Sequence, residues 1–177
     1  MFIREAATAD APGIAALHAE SWSAFYRGAF ADEYLNGPVV DDRTKVWQGR
    51  VSDPAPNQHV IVAEDGGTIV GFACAYGADD EQWGTLLDNL HVRASLQGGG
   101  IGEGLVREIA RWSLETQPEI GLYLGVLEQN TRAQRFYKRL GAEDVGGFTY
   151  SPPGGGEVRV RRYAWRKGQI KELAKTP

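Results

Sequence analysis

The chain is poor in the residues that build redox and metal centres. Its 177 residues include one cysteine, Cys74, and three histidines, His18, His59 and His91. A single cysteine cannot close an internal disulfide, which fits a reducing compartment. No histidine–carboxylate spacing matches a metal-ligand pattern, so no metal site is expected. Long apolar runs are missing too: no stretch approaches the roughly 20 apolar residues that span a bilayer. The opening MFIREAATAD places acidic residues where a signal peptide has its apolar segment. A cytoplasmic location is therefore expected. Nor is there an excess of positive charge. With 19 Lys and Arg against 23 Asp and Glu, the net charge is −4. That balance gives no support for nucleic-acid or anionic-membrane partners. At 42% hydrophobic residues the composition is ordinary. One domain over residues 1–177 is expected, with its core over about residues 2–165 and a short C-terminal tail.

Glycine, by contrast, is plentiful, and five of the 23 fall between Gly98 and Gly104. Their setting follows from the hydrophobic periods. FIRE (Phe2–Glu5) reads as a strand. TADAPGIAALHAESWSAFY reads as a helix, with Thr8 or Asp10 as N-cap and Pro12 in the first turn. A second helix is expected over Asp41–Val51. HVIVAE and TIVGFACAYG flank the turn signal Asp65-Gly66-Gly67 and form a hairpin. Thr85–Val92 is the strand that enters the glycine run. Ile101, Leu105, Ile109 and Trp112 then follow helical spacing. Ile120–Leu127 reads as a buried strand, and NTRAQRFYKRL as a helix stopped by Gly141. VGGFTY and EVRVRRYAW, joined by SPPGGG, complete a mixed α/β (α+β) sheet fold.

Two nucleotide-loop patterns fail on the glycine run. A Walker A loop ends in Gly-Lys-Ser/Thr, whereas Gly102 and Gly104 precede Glu103 and Leu105. The dinucleotide fingerprint needs a glycine three residues after a Gly-x-Gly pair, and those positions hold Glu103, Leu105 and Arg107. A Gln-x-x-Gly-x-Gly pattern over Gln97–Gly102, between strand and helix, remains. Such a loop suits a phosphate or pyrophosphate: the first N–H groups of a helix are unpaired, and glycine lets the backbone approach an oxyanion.

Together, LHVRASLQGGGIGEGL (Leu90–Leu105) and NTRAQRFYKRLGAE (Asn130–Glu143) resemble the two donor-binding motifs of the GCN5-related N-acetyltransferase (GNAT) superfamily, in that family's order. WSAFYRGAFADEYL is also similar to a recurrent bacterial subgroup of it. The resemblance implies a central, mostly antiparallel sheet with its fourth and fifth strands splayed and helices on both faces. It implies acetyl-CoA as donor, with the pantetheine arm along the backbone of Leu90 and Val92. The pyrophosphate would meet N–H groups of Gln97, Gly98, Gly99, Gly100, Ile101, Gly102 and Glu103. Asn130 would contact the donor, cap its helix, or do both.

The implied reaction is direct acetyl transfer to an amine of a small molecule, peptide or protein. An alkyl ammonium with a pKa of about 10.4 must first lose a proton, at a cost of roughly 4–5 kcal/mol at pH 7. Regular alternation puts Leu86, Asp88, Leu90 and Val92 on one strand face, with His91 on the other unless a β-bulge interrupts the strand. Asp88 is the candidate base or proton relay, or else an ammonium anchor. Tyr137 matches the family's general acid, which protonates the departing thiolate, and the Leu90 N–H its usual oxyanion donor. Phe136 reads as core, and the basic residues Arg132, Arg135, Lys138 and Arg139 as a solvated helix face, with contact of one or two of them to the CoA 3′-phosphate as the alternative. Trp22, Phe25, Tyr26 and Tyr150 are candidate acceptor walls, with core packing as the alternative for each. Members often dimerise, so the resemblance extends to a homodimer. A non-catalytic acyl-CoA sensor on the same fold is the rival reading, and it needs neither Asp88 nor Tyr137.

Overall fold

The computed structural model describes residues 1–175. Seven strands form one sheet: β1 (Phe2–Glu5), β2 (Gln58–Asp65), β3 (Thr68–Asp80), β4 (Gly84–Val92), β5 (Leu122–Leu127), β6 (Glu143–Tyr150) and β7 (Val158–Trp165). Their spatial order is β1-β2-β3-β4-β5-β7-β6, antiparallel throughout except for the β4–β5 pair. Helices α1 (Ala11–Phe25) and α3 (Val39–Ser52) lie on one face, where Ile14, Leu17 and Trp47 pack on Val60, Val62, Phe72 and Cys74. On the other face, α4 (Ile101–Thr116), α5 (Thr131–Arg139) and α6 (Lys167–Ala174) enclose a second core around Leu105, Ile109, Leu122 and Trp165. Among the described residues, no helix is long and apolar enough to cross a membrane.

Two elements escaped the sequence reading. A short helix α2 (Asp32–Asn36) carries Tyr34 and Leu35 across to Leu127, Val158 and Val160, so the α1 side also covers part of β5 and β7. The expected C-terminal tail is instead α6, whose Ile170 and Leu173 are buried in the main core. With Ile170 and Leu173 its only large apolar side chains, this eight-residue stretch leaves its helical period weak. Asp10 does sit at the N-cap of α1, but its carboxylate turns away to Arg4 (2.6 and 2.9 Å) and to the Ala7 N–H.

The feature that shapes the site lies in β4. It pairs with β5 only at Thr85–Leu122 and Leu86–Tyr123, after which β5 continues against β7 alone as far as Leu127. The closed end is tight: the Thr85 N–H donates to Gly121 O at 3.0 Å, and a buried Thr85–Ser113 hydroxyl bond (2.7 Å) ties it to α4. Beyond Leu86 the strands part. Asp88 is an extra residue in β4, because Cys74 opposes Asn89 while Ala75 opposes Leu87. Such a bulge bends and twists the strand. It also reverses the alternation, correcting the expected facing. Leu87, Leu90 and Val92 face the α4 core, and Leu86 joins Asn89 and His91 on the α1 side.

Candidate active site

Backbone groups of β4 form the first part of the site. The Arg93 N–H donates to Val70 O (2.9 Å), and the register pairs His91 with Phe72 and Asn89 with Cys74. Bonded and non-bonded pairs alternate along an antiparallel ladder, so the polar groups of Leu90 and Val92 point away from β3. They face the gap that β5 has left. The Gln97 side-chain amide reaches back to Val92 O at 3.0 Å and folds the glycine loop against this edge.

The loop supplies the second part. Gly98 and Gly100 have φ of +92° and +86°, a region that side chains with a Cβ enter only under strain. Gly100 is the N-cap of α4, and the first helical bond runs from the Gly104 N–H to Gly100 O. The N–H groups of Ile101, Gly102 and Glu103 therefore have no intrahelical acceptor. Gly104 lies outside the sequence motif, and its reason is packing: a Cβ there would come 3.1 Å from Ile3 Cδ1 on β1.

Helix α5 closes the third side. Asn130 accepts the Ala133 N–H at 3.0 Å, a true N-cap that also borders the cavity. Tyr137 is buried between the rings of Phe136, Tyr163 and Trp165. Burial, with Tyr26 nearby, pushes its phenol above the usual value and keeps the proton on.

These parts enclose a cavity of about 430 Å³. The glycine loop and the start of α4 contribute Gln97, Gly98, Gly100, Gly102 and Glu103 to the lining, and α5 contributes Arg132, Arg135 and Arg139. Ser21 and Phe25 of α1, its C-cap residue Tyr26, and His91 of β4 line it as well, and Leu90 and Tyr137 also border the space. The three arginines are exposed, as expected of a solvated face, and also line the cavity, while Lys138 turns to the Tyr163 ring. Phe136, read as core, packs there and lines the cavity as well. Ile101 and Gly99 are not in the lining, and the Ile101 side chain is buried in the core.

The acceptor candidates separate. Phe25 and Tyr26 line the cavity, and burial pushes the Tyr26 phenol to about 12. Trp22 is no wall: it is 7% exposed, in contact with His18, Tyr26 and Phe30, and covered by the Arg43 guanidinium at 4.3 Å. Tyr150 is exposed and outside the lining, although Asp88, Arg43 and Arg50 influence its phenol. Asp88 is also outside the lining, and its Oδ2 accepts Arg50 Nη1 at 2.8 Å. Its charge nevertheless reaches both Tyr26 and Tyr150. His91, placed by regular alternation on the face opposite Asp88, lines the cavity. Burial and the Arg43 cation bring its imidazole to about 4, so it is neutral at pH 7. Behind it, the fully buried His18 accepts Trp47 Nε1–H at 2.8 Å.

The residues fit a CoA-type donor. Unpaired amides, positive-φ glycines and three arginines suit its phosphates, and an unpaired strand edge suits an amide-bearing arm. The Acetyltransferase (GNAT) family pattern matches residues 14–142, most of the chain. A cow thialysine N-epsilon-acetyltransferase is 31% identical over 100 residues, 51% of this chain and 58% of that protein. An uncharacterized N-acetyltransferase of Mycobacterium tuberculosis is 28% identical over 144 residues, 80% of this chain and 88% of the relative. The PaiA N-acetyltransferase of Thermoplasma acidophilum, solved in complex with coenzyme A, superposes with a TM-score of 0.69 at 17% identity. That match covers 93% of this chain and 98% of the other, and at such identity it bears on the fold. The chain belongs to the Acetyltransferase (GNAT) family, as an N-acetyltransferase whose acetyl donor is acetyl-CoA.

Proposed function

We propose that the acceptor is an amine of a small molecule or peptide, and that it enters from the α1 side to meet the donor through the β4–β5 gap. One observation carries this reading: a single cavity is lined both by the glycine loop and the α5 arginines and by Phe25, Tyr26 and His91. Acetyl-CoA supplies an activated thioester there. Gly98–Glu103 and the α5 arginines hold its phosphates, and the β4 edge at Leu90 and Val92 holds its arm. The Leu90 N–H, turned into the gap, stabilises negative charge developing on the acetyl oxygen. The Tyr137 hydroxyl donates a hydrogen bond to the departing sulfur; with a phenol near 10 or above and a thiol near 8.5, that bond rather than full proton transfer does most of the stabilising.

Transfer is direct. Cys74, the one cysteine, is buried at 0% exposure, and burial pushes its thiol to about 12, so no thiolate is available to carry the acetyl group. Asp88 receives the acceptor ammonium between Tyr26 and Tyr150. Its Oδ2 is taken by Arg50, leaving Oδ1 to anchor the cation and take the proton outward. A small side-chain amine suits this geometry, and the cow relative is named for such a substrate.

The test is thermal shift with acetyl-CoA, followed by a thiol-release assay over a panel of amines. Stabilisation by acetyl-CoA with turnover on at least one amine is expected. Binding without turnover on any amine would favour a sensor, and absence of binding would overturn the donor assignment.

A further inference from the structure

The glycine-loop side of the cavity contains an electrostatic contradiction. Among the described residues, Glu103 is the only acidic side chain in the lining, and it stands in the first turn of α4, where unpaired N–H groups suit an anion. An unneutralised carboxylate beside a diphosphate repels it. The structure shows how this carboxylate is handled. Arg107, one turn along, donates to Glu103 Oε1 from Nε at 3.1 Å and from Nη2 at 2.8 Å. Its remaining terminal nitrogen, Nη1, donates to Leu173 O at 2.6 Å and Lys175 O at 2.8 Å. Those carbonyls belong to the last turn and C-cap of α6, the end where helix carbonyls lack intrahelical partners and the dipole is negative. The guanidinium is thus fixed from both sides, with its side chain 19% exposed.

We propose that Arg107 is a positioning residue for donor binding: it neutralises Glu103 and holds its carboxylate in a fixed pair, with α6 holding the guanidinium in place. An ordinary i,i+4 pair stabilises only its own helix, and weakly. Here the same pair sits at the anion-receiving end of a helix, and its cation is shared with an element distant in sequence. The C-terminal helix thereby takes part in setting affinity for the donor. This inference rests on the cavity being the acetyl-CoA site.

The full-length protein and two variants separate the contributions. Arg107→Met should raise the CoA dissociation constant, measured by calorimetry at low salt, by about 5–10-fold. The acetyl-CoA KM should rise in parallel, with kcat within about twofold of the starting protein. Adding Glu103→Gln to that variant removes the exposed charge without restoring the α6 contact. The double variant should return to within about twofold of the original affinity while its melting temperature stays low. An Arg107→Met protein that binds CoA normally would overturn the proposal. So would a double variant that binds as weakly as the single one, because the loss would then come from α6 packing. Failure of the unmodified protein to bind CoA is a different result and strikes the donor assignment itself.

Discussion

Tyr137 stands in van der Waals surroundings that hold its ring independently of its hydroxyl. Phe136, Trp165 and Tyr163 lie 5.0, 6.1 and 6.5 Å away between ring centres, and among the described residues the hydroxyl has no hydrogen-bond partner. Removing the oxygen therefore leaves the packing in place. Tyr137→Phe is expected to lower kcat about 10²-fold, with CoA affinity and melting temperature nearly unchanged. Steady-state kinetics beside calorimetry checks this, and normal turnover across pH would remove the general-acid role. For Asp88, the Asn variant keeps an oxygen for Arg50 but loses the charge. Its acceptor KM should rise, and its activity deficit at neutral pH should narrow as pH rises and the amine deprotonates in solvent. A deficit that stays constant with pH would leave Asp88 as an anchor alone. The motif residues Asn130 and Tyr137 were legible because an N-cap and a buried aromatic are set by local sequence. The facing of Asp88 was not, since it depends on which β3 residue it opposes.

At the scale of elements, the decisive arrangement is a β4–β5 pair closed at one end and open at the other. Gly84, at φ +89°, brings β4 against Gly121, and a Cβ there would stand 2.4 Å from Gly121 O. The neighbouring Gly121 is pressed in turn against Trp165 O, at 2.6 Å from its own would-be Cβ. Gly84→Ala must move backbone, not a flexible side-chain end. It is expected to destabilise the fold by about 2–3 kcal/mol and to weaken CoA binding through the displaced strand edge. Denaturant unfolding and calorimetry on one preparation would show both effects. Normal CoA affinity in a destabilised protein would mean that the open end of the gap is set elsewhere. Strand periods gave β1 and the hairpin almost to the residue. The bulge at Asp88 leaves no mark in β4 itself, because two alternations joined by one extra residue read as a single apolar-rich run. Helix α6 was missed for a related reason: Ile170 and Leu173 become core residues only when α4 is placed beside them.

The molecule as a whole carries a pH dependence written by its buried imidazoles. His91 falls to about 4 in the folded state from about 6.5 when unfolded, and burial lowers His18 in the same direction. The unfolded chain binds more protons between these values, so stability is complete above pH 6.5 and is lost as pH falls toward 4. His91 alone accounts for up to about 3 kcal/mol of that loss. Urea unfolding at pH 7 and pH 5 should show a lower midpoint at pH 5, and His91→Gln should flatten the difference. An unchanged slope in that variant would put the dependence on other groups.

The sequence by itself determined the two segments proposed to hold the donor. Gln97–Gly102 and Asn130–Gly141 are contiguous, their proposed role lies in backbone amides, caps and helix ends, and short-range chemistry fixes these. Tertiary structure alone decided the side proposed for the acceptor. Phe25, Tyr26, Asp88, His91 and Tyr150 come from the end of α1, β4 and β6, and it is the sheet order and one bulge that determine which of them face the same space. Arg107 shows the same division. Its pairing with Glu103 could be read from their spacing, but its hold on α6 exists only because the chain's last helix packs beside α4.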